Sequence, residues 1–369
     1  MAQSRQSFPR RGLGWRRVVW SGLALCLIGL RCAPQTAPAA VPTPGVGAPG
    51  AITAAPSASA PVESPLPPLA QHVVLNYSTR GNGQAGMWLV HEGGFLRELG
   101  VDEELVNVAA TSRIIAAMLT GEVNLSSMDP GASILASVEG IDIVLLAAGG
   151  NRPSLSVVTQ PSIDEPAKLR GKSLAITRLG TSTHTAALLA LNLWGLAPDR
   201  DVALRQLDQP EAIWAALEAK QVDAAMMGVS TKILALREGY RELINLATAG
   251  PEYPQVTVNG LRSWVDANQE AVRRFARAYT QARQRLRTDK PWALGVFQKY
   301  LDTDDAETLE AFYDEVVACC GPVPYVTQEG TARLLADLAR TEPRLAGRQP
   351  SEWIDDRFLR EVEAAGYPR

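Results

Sequence analysis

Residues 114–128 and 213–227 repeat one another at an offset of 99, and this internal echo constrains the fold more than any other feature. Five of the fifteen aligned positions are identical: Ile114/Ile213, Ala116/Ala215, Ala117/Ala216, Val123/Val222 and Met128/Met227, with Asn124 facing Asp223. Each copy reads as an amphipathic helix, a tight turn and a buried strand. Two such units imply two lobes of similar design. The flanking sequence agrees: strand-like runs at 73–77, 105–109, 143–147, 155–159, 174–177 and 224–227 alternate with helical patterns at 87–99, 112–119, 186–194 and 211–219. That alternation implies α/β units around mostly parallel sheets. Ligands of open α/β sheets bind beyond the carboxyl ends of the strands. Facing lobes would therefore direct Ser127-Met128-Asp129 and Met227-Gly228 into one cleft.

The amino terminus has a different chemistry. Arg5, Arg10, Arg11, Arg16 and Arg17 precede an apolar run at 18–30, and residues 1–31 contain no Asp or Glu. The run is too short for a membrane-spanning helix, which needs about 20 residues, but fits the apolar region of an export signal. Residues 1–31 are therefore expected to be a signal peptide. Cys32 follows as a candidate lipidation site, although Arg31 stands where a small residue is usual, and Cys26 is a second imperfect candidate. Residues 32–70 form a Pro/Ala-rich tether: 33–70 hold ten prolines and eleven alanines, with Glu63 as the only charge. Such sequence buries too little apolar area to offset its chain entropy.

Without the signal, 30 basic residues stand against 39 acidic ones, an acidic body that excludes nucleic acid as a partner. Hydrophobic residues, 46% of the chain, supply a sizeable core. Four cysteines and three scattered histidines offer no disulfide framework and no metal-ligand spacing. Neither a metal nor a cofactor is expected.

Several segments, in their order and spacing, carry a resemblance. They are Gly93-Gly94-Phe95, Glu98-Leu99-Gly100-Val101, Glu104-Leu105-Val106 and Leu119-Thr120-Gly121-Glu122-Val123-Asn124, then Leu169-Arg170-Gly171-Lys172-Ser173-Leu174-Ala175, Arg178 with Gly180-Thr181-Ser182-Thr183, and Gln221-Val222-Asp223-Ala224-Ala225. Over about residues 72–365 the chain resembles the substrate-binding proteins of ABC importers in the nitrate/sulfonate/taurine group, which includes thiamine-pyrimidine-precursor-binding relatives. The resemblance implies an α/β fold of periplasmic-binding-protein type II architecture: two Rossmann-like lobes joined by two crossing strands. Lobe 1 would comprise 71–161 and 254–369 and lobe 2 would comprise 162–253, with crossings near Pro161 and Pro254. It also implies an exported, non-enzymatic monomer that delivers a small anionic molecule to a permease and ATPase, touching the membrane only through a lipid anchor. Two positions depart from the family. His91 stands where a lysine is usual, and Met226-Met227-Gly228-Val229-Ser230 replaces a segment that often carries prolines.

The ligand-binding candidates follow. The strand at 174–177 runs into Arg178, Gly180, Thr181, Ser182 and Thr183, which open a helix. Free N–H groups and the helix dipole favour an anion there, with Arg178 as a source of charge. An ordinary Ser/Thr cap beside a solvated arginine is the alternative. The loop Gly81-Asn82-Gly83-Gln84-Ala85-Gly86 offers backbone donors and Gln84, or is simply a flexible turn. Trp88 is placed either to stack on a ligand or to face the core. Ser127, Met128, Met227 and Gly228 complete the set.

Catalytic readings are thin. His91 and Glu92, adjacent on a helix, project about 100° apart, a poor geometry for a base and its orienting carboxylate. His184, just inside a helix amino terminus, should have its charged form disfavoured. A pyrimidine-precursor synthase of the same fold would need a cysteine cluster where only Cys319-Cys320 occurs; that pair reads as small buried residues or a vicinal disulfide. A sensory receptor would share the binding lobes and differ only in partner. Finally, a helix over 268–287 carries an apolar face, an Asp266/Gln269 capping box and a basic outer face of Arg273, Arg274, Arg277, Arg283, Arg285 and Arg287.

Overall fold

The computed structural model describes residues 66–179, 181–319 and 321–367. The expected signal peptide, Cys26, Cys32, most of the tether, Gly180 and Cys320 lie outside them.

Two five-stranded sheets carry the fold. The first contains β1 (His72–Tyr77), β2 (Asp102–Asn107), β3 (Leu125–Met128), β4 (Ile143–Gly150) and, late in the chain, β10 (Val256–Leu261), in the order β2-β1-β3-β10-β4. The second contains β5 (Ser156–Thr159), β6 (Lys172–Ile176), β7 (Val202–Gln206), β8 (Ala224–Met227) and β9 (Arg241–Asn245), in the order β7-β6-β8-β5-β9. In both, three parallel strands meet an antiparallel crossing strand, β10 or β5, which then pairs with the edge strand β4 or β9. Both sheets belong to one compact unit.

The first lobe carries α1 (Ala85–Gly93), α2 (Phe95–Glu98), α3 (Thr111–Thr120) and α4 (Pro130–Val138). The second carries α5 (Ser182–Leu193), α6 (Pro210–Glu218), α7 (Val229–Arg237) and the short α8 (Leu246–Ala249). After β10 the chain stays with the first lobe through α9 (Arg262–Ala267), α10 (Gln269–Thr288), α11 (Lys290–Leu301), α12 (Ala306–Ala318), α13 (Gln328–Leu338) and α14 (Arg357–Ala364). The echoed segments are thus α3–β3 and α6–β8, each ending in the middle strand of its sheet. Equivalent side chains tie both copies down. Asn124 Oδ1 accepts from Val74 N–H at 2.8 Å, and Asp223 Oδ2 accepts from Ser173 N–H at 2.9 Å.

Some expectations need correction. The chain first crosses between Gly150 and Ser156, ahead of Pro161, because β5 already pairs with β8 and β9 of the second sheet. The return crossing lies between Ala249 and Val256. The helix expected over 87–99 breaks in two at Gly94, whose φ of 68° ends α1. Residues 66–69, assigned to the tether, dock on the first lobe: Leu66 and Leu69 pack on its core, and Leu69 N–H donates to Gly100 O at 2.8 Å. The long helix α10 buries its expected stripe, including Phe275, Tyr279 and Leu286, side chains worth about 1.5–3 kcal/mol each when removed from water. Its basic face is not simply an outer one. Arg274 donates to Pro67 O and Leu99 O, and Arg283 to Val316 O, both from buried positions. The capping box does not form; Asn268 is the N-cap and Asp266 pairs with Arg357.

Candidate functional site

A cavity of about 440 Å³ lies between the lobes. The first lobe contributes Arg80, Gly81 and Asn82, from the loop after β1, with Leu301 and Phe312. The second contributes Thr177, Ser182 and Thr183, then Pro210 and Glu211, then Gly228, Val229, Ser230 and Thr231. Ser154 and Gln255 line it from the two crossings. Strand topology explains this convergence, since the loops after β1, β6 and β8 all leave carboxyl ends of parallel strands. Three helices, α5, α6 and α7, start at the wall. First-turn N–H groups have no partner within their helix and carry partial positive charge. Among the described residues Arg80, exposed, is the only basic side chain on the wall, and Glu211 the only acidic one.

The loop after β1 has glycines because it runs tightly against its neighbours. A Cβ on Gly83 would meet Val256 at 2.5 Å, and one on Gly86 would meet the Tyr279 hydroxyl at 2.2 Å. Close packing, rather than a phosphate cradle, accounts for both.

The expected residues separate into two groups. Ser182, Thr183 and Gly228 line the cavity, and Thr181 lines a smaller one beside it. Thr181 and Thr183 are joined through Thr177, whose hydroxyl lies 2.9 Å from Thr181 Oγ1 and 2.7 Å from Thr183 Oγ1. Arg178 does not belong to either wall. It lies on the surface, with Nε 2.9 Å from Asp208 Oδ1. Gln84 is buried and turned on its own loop, accepting from Ser78 N–H at 3.1 Å. Trp88 is a core residue, stacked on Tyr300 with centroids 4.8 Å apart. Ser127 is buried and donates to Gly83 O at 3.1 Å. Met128 and Met227 are buried too, and Met226 reaches the cavity instead, because successive strand side chains point to opposite faces.

The sequence pointed to the loop that holds Asn82 and to the segment that holds Ser230, but not to Arg80, Thr231 or Gln255, which also line the cavity. Arg80 was accessible to the rule that picked out Gly228, since it also follows the carboxyl end of a strand.

The smaller cavity, about 220 Å³, shares Ser182 and Gln255 with the first and adds Asp129, Tyr253 and Leu334. Asp129 caps α4, accepting from Gly131 N–H at 2.7 Å. Although Asp129 is exposed, the protein crowded around it partly desolvates its carboxyl and pushes it above the ordinary range, against the pull of N–H donors from Gly131 and Ala132. Burial likewise raises the Tyr253 phenol, helped by the charges of Asp337 and Asp129. Burial also holds His184 of α5 below its ordinary value, with the charge of Asp199 opposing.

His91 and Glu92 do serve different partners. His91 Nδ1 lies 3.0 Å from Glu103, and Glu92 accepts from Lys299 Nζ at 2.7 Å and from the Tyr300 hydroxyl at 2.8 Å. Among the described residues no cluster of three His, Cys, Asp or Glu could hold a metal, and no helix is long and apolar enough to cross a membrane.

A family model described as NMT1/THI5 like matches residues 82–290. No curated protein matches the chain in sequence. Among solved structures it is similar to a putative periplasmic sulfonate-binding protein of Methylobacillus flagellatus, with a TM-score of 0.66 and 19% identity over 80% of this chain and 94% of that one. The aliphatic sulphonate binding protein SsuA of Escherichia coli matches with a TM-score of 0.60 and 20% identity, over 76% and 94% of the two chains. The nitrate-binding protein NrtA of Synechocystis matches with a TM-score of 0.61 and 14% identity, over 82% and 91%.

Proposed function

The chain belongs to the NMT1/THI5-like family, and on that premise we propose that it is an extracytoplasmic solute-binding protein. It captures a small organic anion between its lobes and delivers it to the permease and ATPase of an ABC importer. One observation carries this reading: three helix amino termini and Arg80 converge on a single interlobe cavity. Backbone N–H groups there supply positive potential without placing a second cation on the wall. The apolar side chains Leu155, Ile213, Met226 and Phe312 favour an organic body behind the anionic group. Similarity to sulfonate-binding and nitrate-binding proteins supports the same ligand class.

The mechanism is binding followed by closure, driven by tighter contact with the ligand in the closed state. It needs no chemical step. Ser182, Thr183 and Gly228 contact the ligand, and Arg80 takes the charge-pairing role first expected of Arg178. Removal of residues 1–31, a lipid on Cys32 and a monomeric state belong to the same proposal.

Mass spectrometry of small molecules released from the protein isolated from its own cells tests it. The expected result is a stoichiometric organic anion that rebinds in calorimetric titration. A protein that carries no anion and binds none across sulfonates, carboxylates and nitrate overturns the reading.

A further inference from the structure

Beneath the cavity a buried ion pair joins the lobes. Lys232 of α7 is 4% exposed and Glu315 of α12 is 2% exposed. The ammonium lies 2.7 Å from Glu315 Oε1. The other carboxylate oxygen accepts from Asn82 Nδ2 at 2.6 Å, and Asn245 Nδ2 donates to Oε1 at 3.0 Å. Lys232 Nζ also lies 3.3 Å from Glu242 Oε1, which accepts from the Ser156 hydroxyl at 2.6 Å. Buried charges persist only where such partners replace their hydration. Asn82 and Glu315 belong to the first lobe; Lys232, Glu242, Asn245 and Ser156 belong to the second.

The surrounding packing runs the same way. Val229 and Ile233 of α7, one helical turn apart, are part of the first lobe's apolar core, together with Phe312 and Val316 of α12. Arg237 extends the seam outward, 2.7 Å from both Asp305 and Glu307. The inner end reaches the ligand cavity from both sides. Asn82 is on one wall, and Ser230 and Thr231, immediately before Lys232, are on the other.

We propose that Lys232 and Glu315 are positioning residues for ligand capture. Their ion pair fixes Asn82 and its loop against the amino terminus of α7, so that both halves of the binding surface stand in register before a ligand arrives. The inference rests on the cavity being the binding site proposed above.

Backbone hydrogen exchange in the full chain tests it, read at residues 81–84 and 229–233 without ligand. Titration with ethanesulfonate then reads the consequence for binding. Lys232→Met and Glu315→Gln should each speed exchange in both segments roughly tenfold, and weaken binding by a similar factor. The double variant removes both fully buried charges and leaves only the partly exposed Glu242 without its cation, so its melting temperature should recover while exchange stays fast and affinity stays low. A purely packing role would move stability and register together; recovery of all three in the double variant overturns the proposal. If the charge variants fail to fold, Asn82→Ala decides, since it cuts only the arm to the cleft loop. Faster exchange confined to 81–84 supports the proposal, and wild-type rates there overturn it. A wild-type protein that ignores ethanesulfonate counts against the sulfonate ligand, while the exchange rates still decide the role of the pair.

Discussion

Replacing Arg80 with alanine removes the only basic side chain that the described residues place on the wall of the main cavity. A charge-assisted hydrogen bond to a ligand is worth about 1.5–3 kcal/mol, so affinity for an organic anion should fall roughly tenfold to a hundredfold. Arg80 is exposed, and the unliganded melting temperature should hardly change. Arg178→Ala is the control. Its partner is Asp208 on the surface, an exposed pair of the kind that contributes little, and titration of that variant should match wild type. Equal affinities in the Arg80 variant would leave the backbone donors as the whole of the anion site. His184 gives a second prediction at this scale. Burial holds its folded value below 6.5, so the unfolded chain binds the proton first. The contribution is complete above 6.5 and is lost as the pH falls below it. Denaturant titrations at about pH 7 and 5 should show a smaller loss of stability in His184→Gln than in wild type. An identical loss would sink that assignment.

The legible elements were those whose apolar pattern had one cause. β1, β4, β5, β6 and β8 fill the middle of the sheets or pair along crossings, and their runs of Val, Ile, Leu and Ala mark them. β7 and β9 are edge strands, Val202–Gln206 and Arg241–Asn245, whose exposed polar residues hide the pattern. β10 is concealed differently. Its Thr257 and Asn259 are fully buried, and Asn259 Nδ2 spends its hydrogen bonds on Ser126 O and Thr257 O. A polar residue buried for such a network looks like surface in a sequence. Tertiary pairing is equally invisible, which is why the arginines of α10 read as a basic outer face. In the site, strand-end logic pointed to loops that border the cavity, while side-chain alternation and the turning-in of Gln84 decided which residues line it. The echo reached furthest, extending at the same offset to the pairs Asn124–Val74 and Asp223–Ser173. Asn124 is buried, and Asn124→Ala leaves Val74 N–H without its acceptor. Loss of about 1–3 kcal/mol in denaturant unfolding is expected. A change within about 0.5 kcal/mol, the range of ordinary surface substitutions, would mean that the tie is dispensable.

At the scale of the whole molecule, the question is whether two lobes behave as one body. Separate sheets and small second-lobe cores argue for independent unfolding. The seam argues against it: α7 places Val229 and Ile233 in the first lobe's core, and its Lys232 is neutralised by a first-lobe carboxylate. Unfolding the second lobe alone would strip Val229 and Ile233 from the apolar face of α12 and leave that face in water, a costly intermediate. One calorimetric transition is therefore expected. A ligand held between the lobes binds neither lobe alone, so it should shift that transition as a whole. At 100 times its dissociation constant it adds about 2.7 kcal/mol. With about 2–4 °C per kcal/mol for a protein near this size, the melting temperature should rise roughly 5–10 °C. Two resolved transitions, with only one of them moved by ligand, would show that the lobes unfold separately and that the ligand sits within one of them.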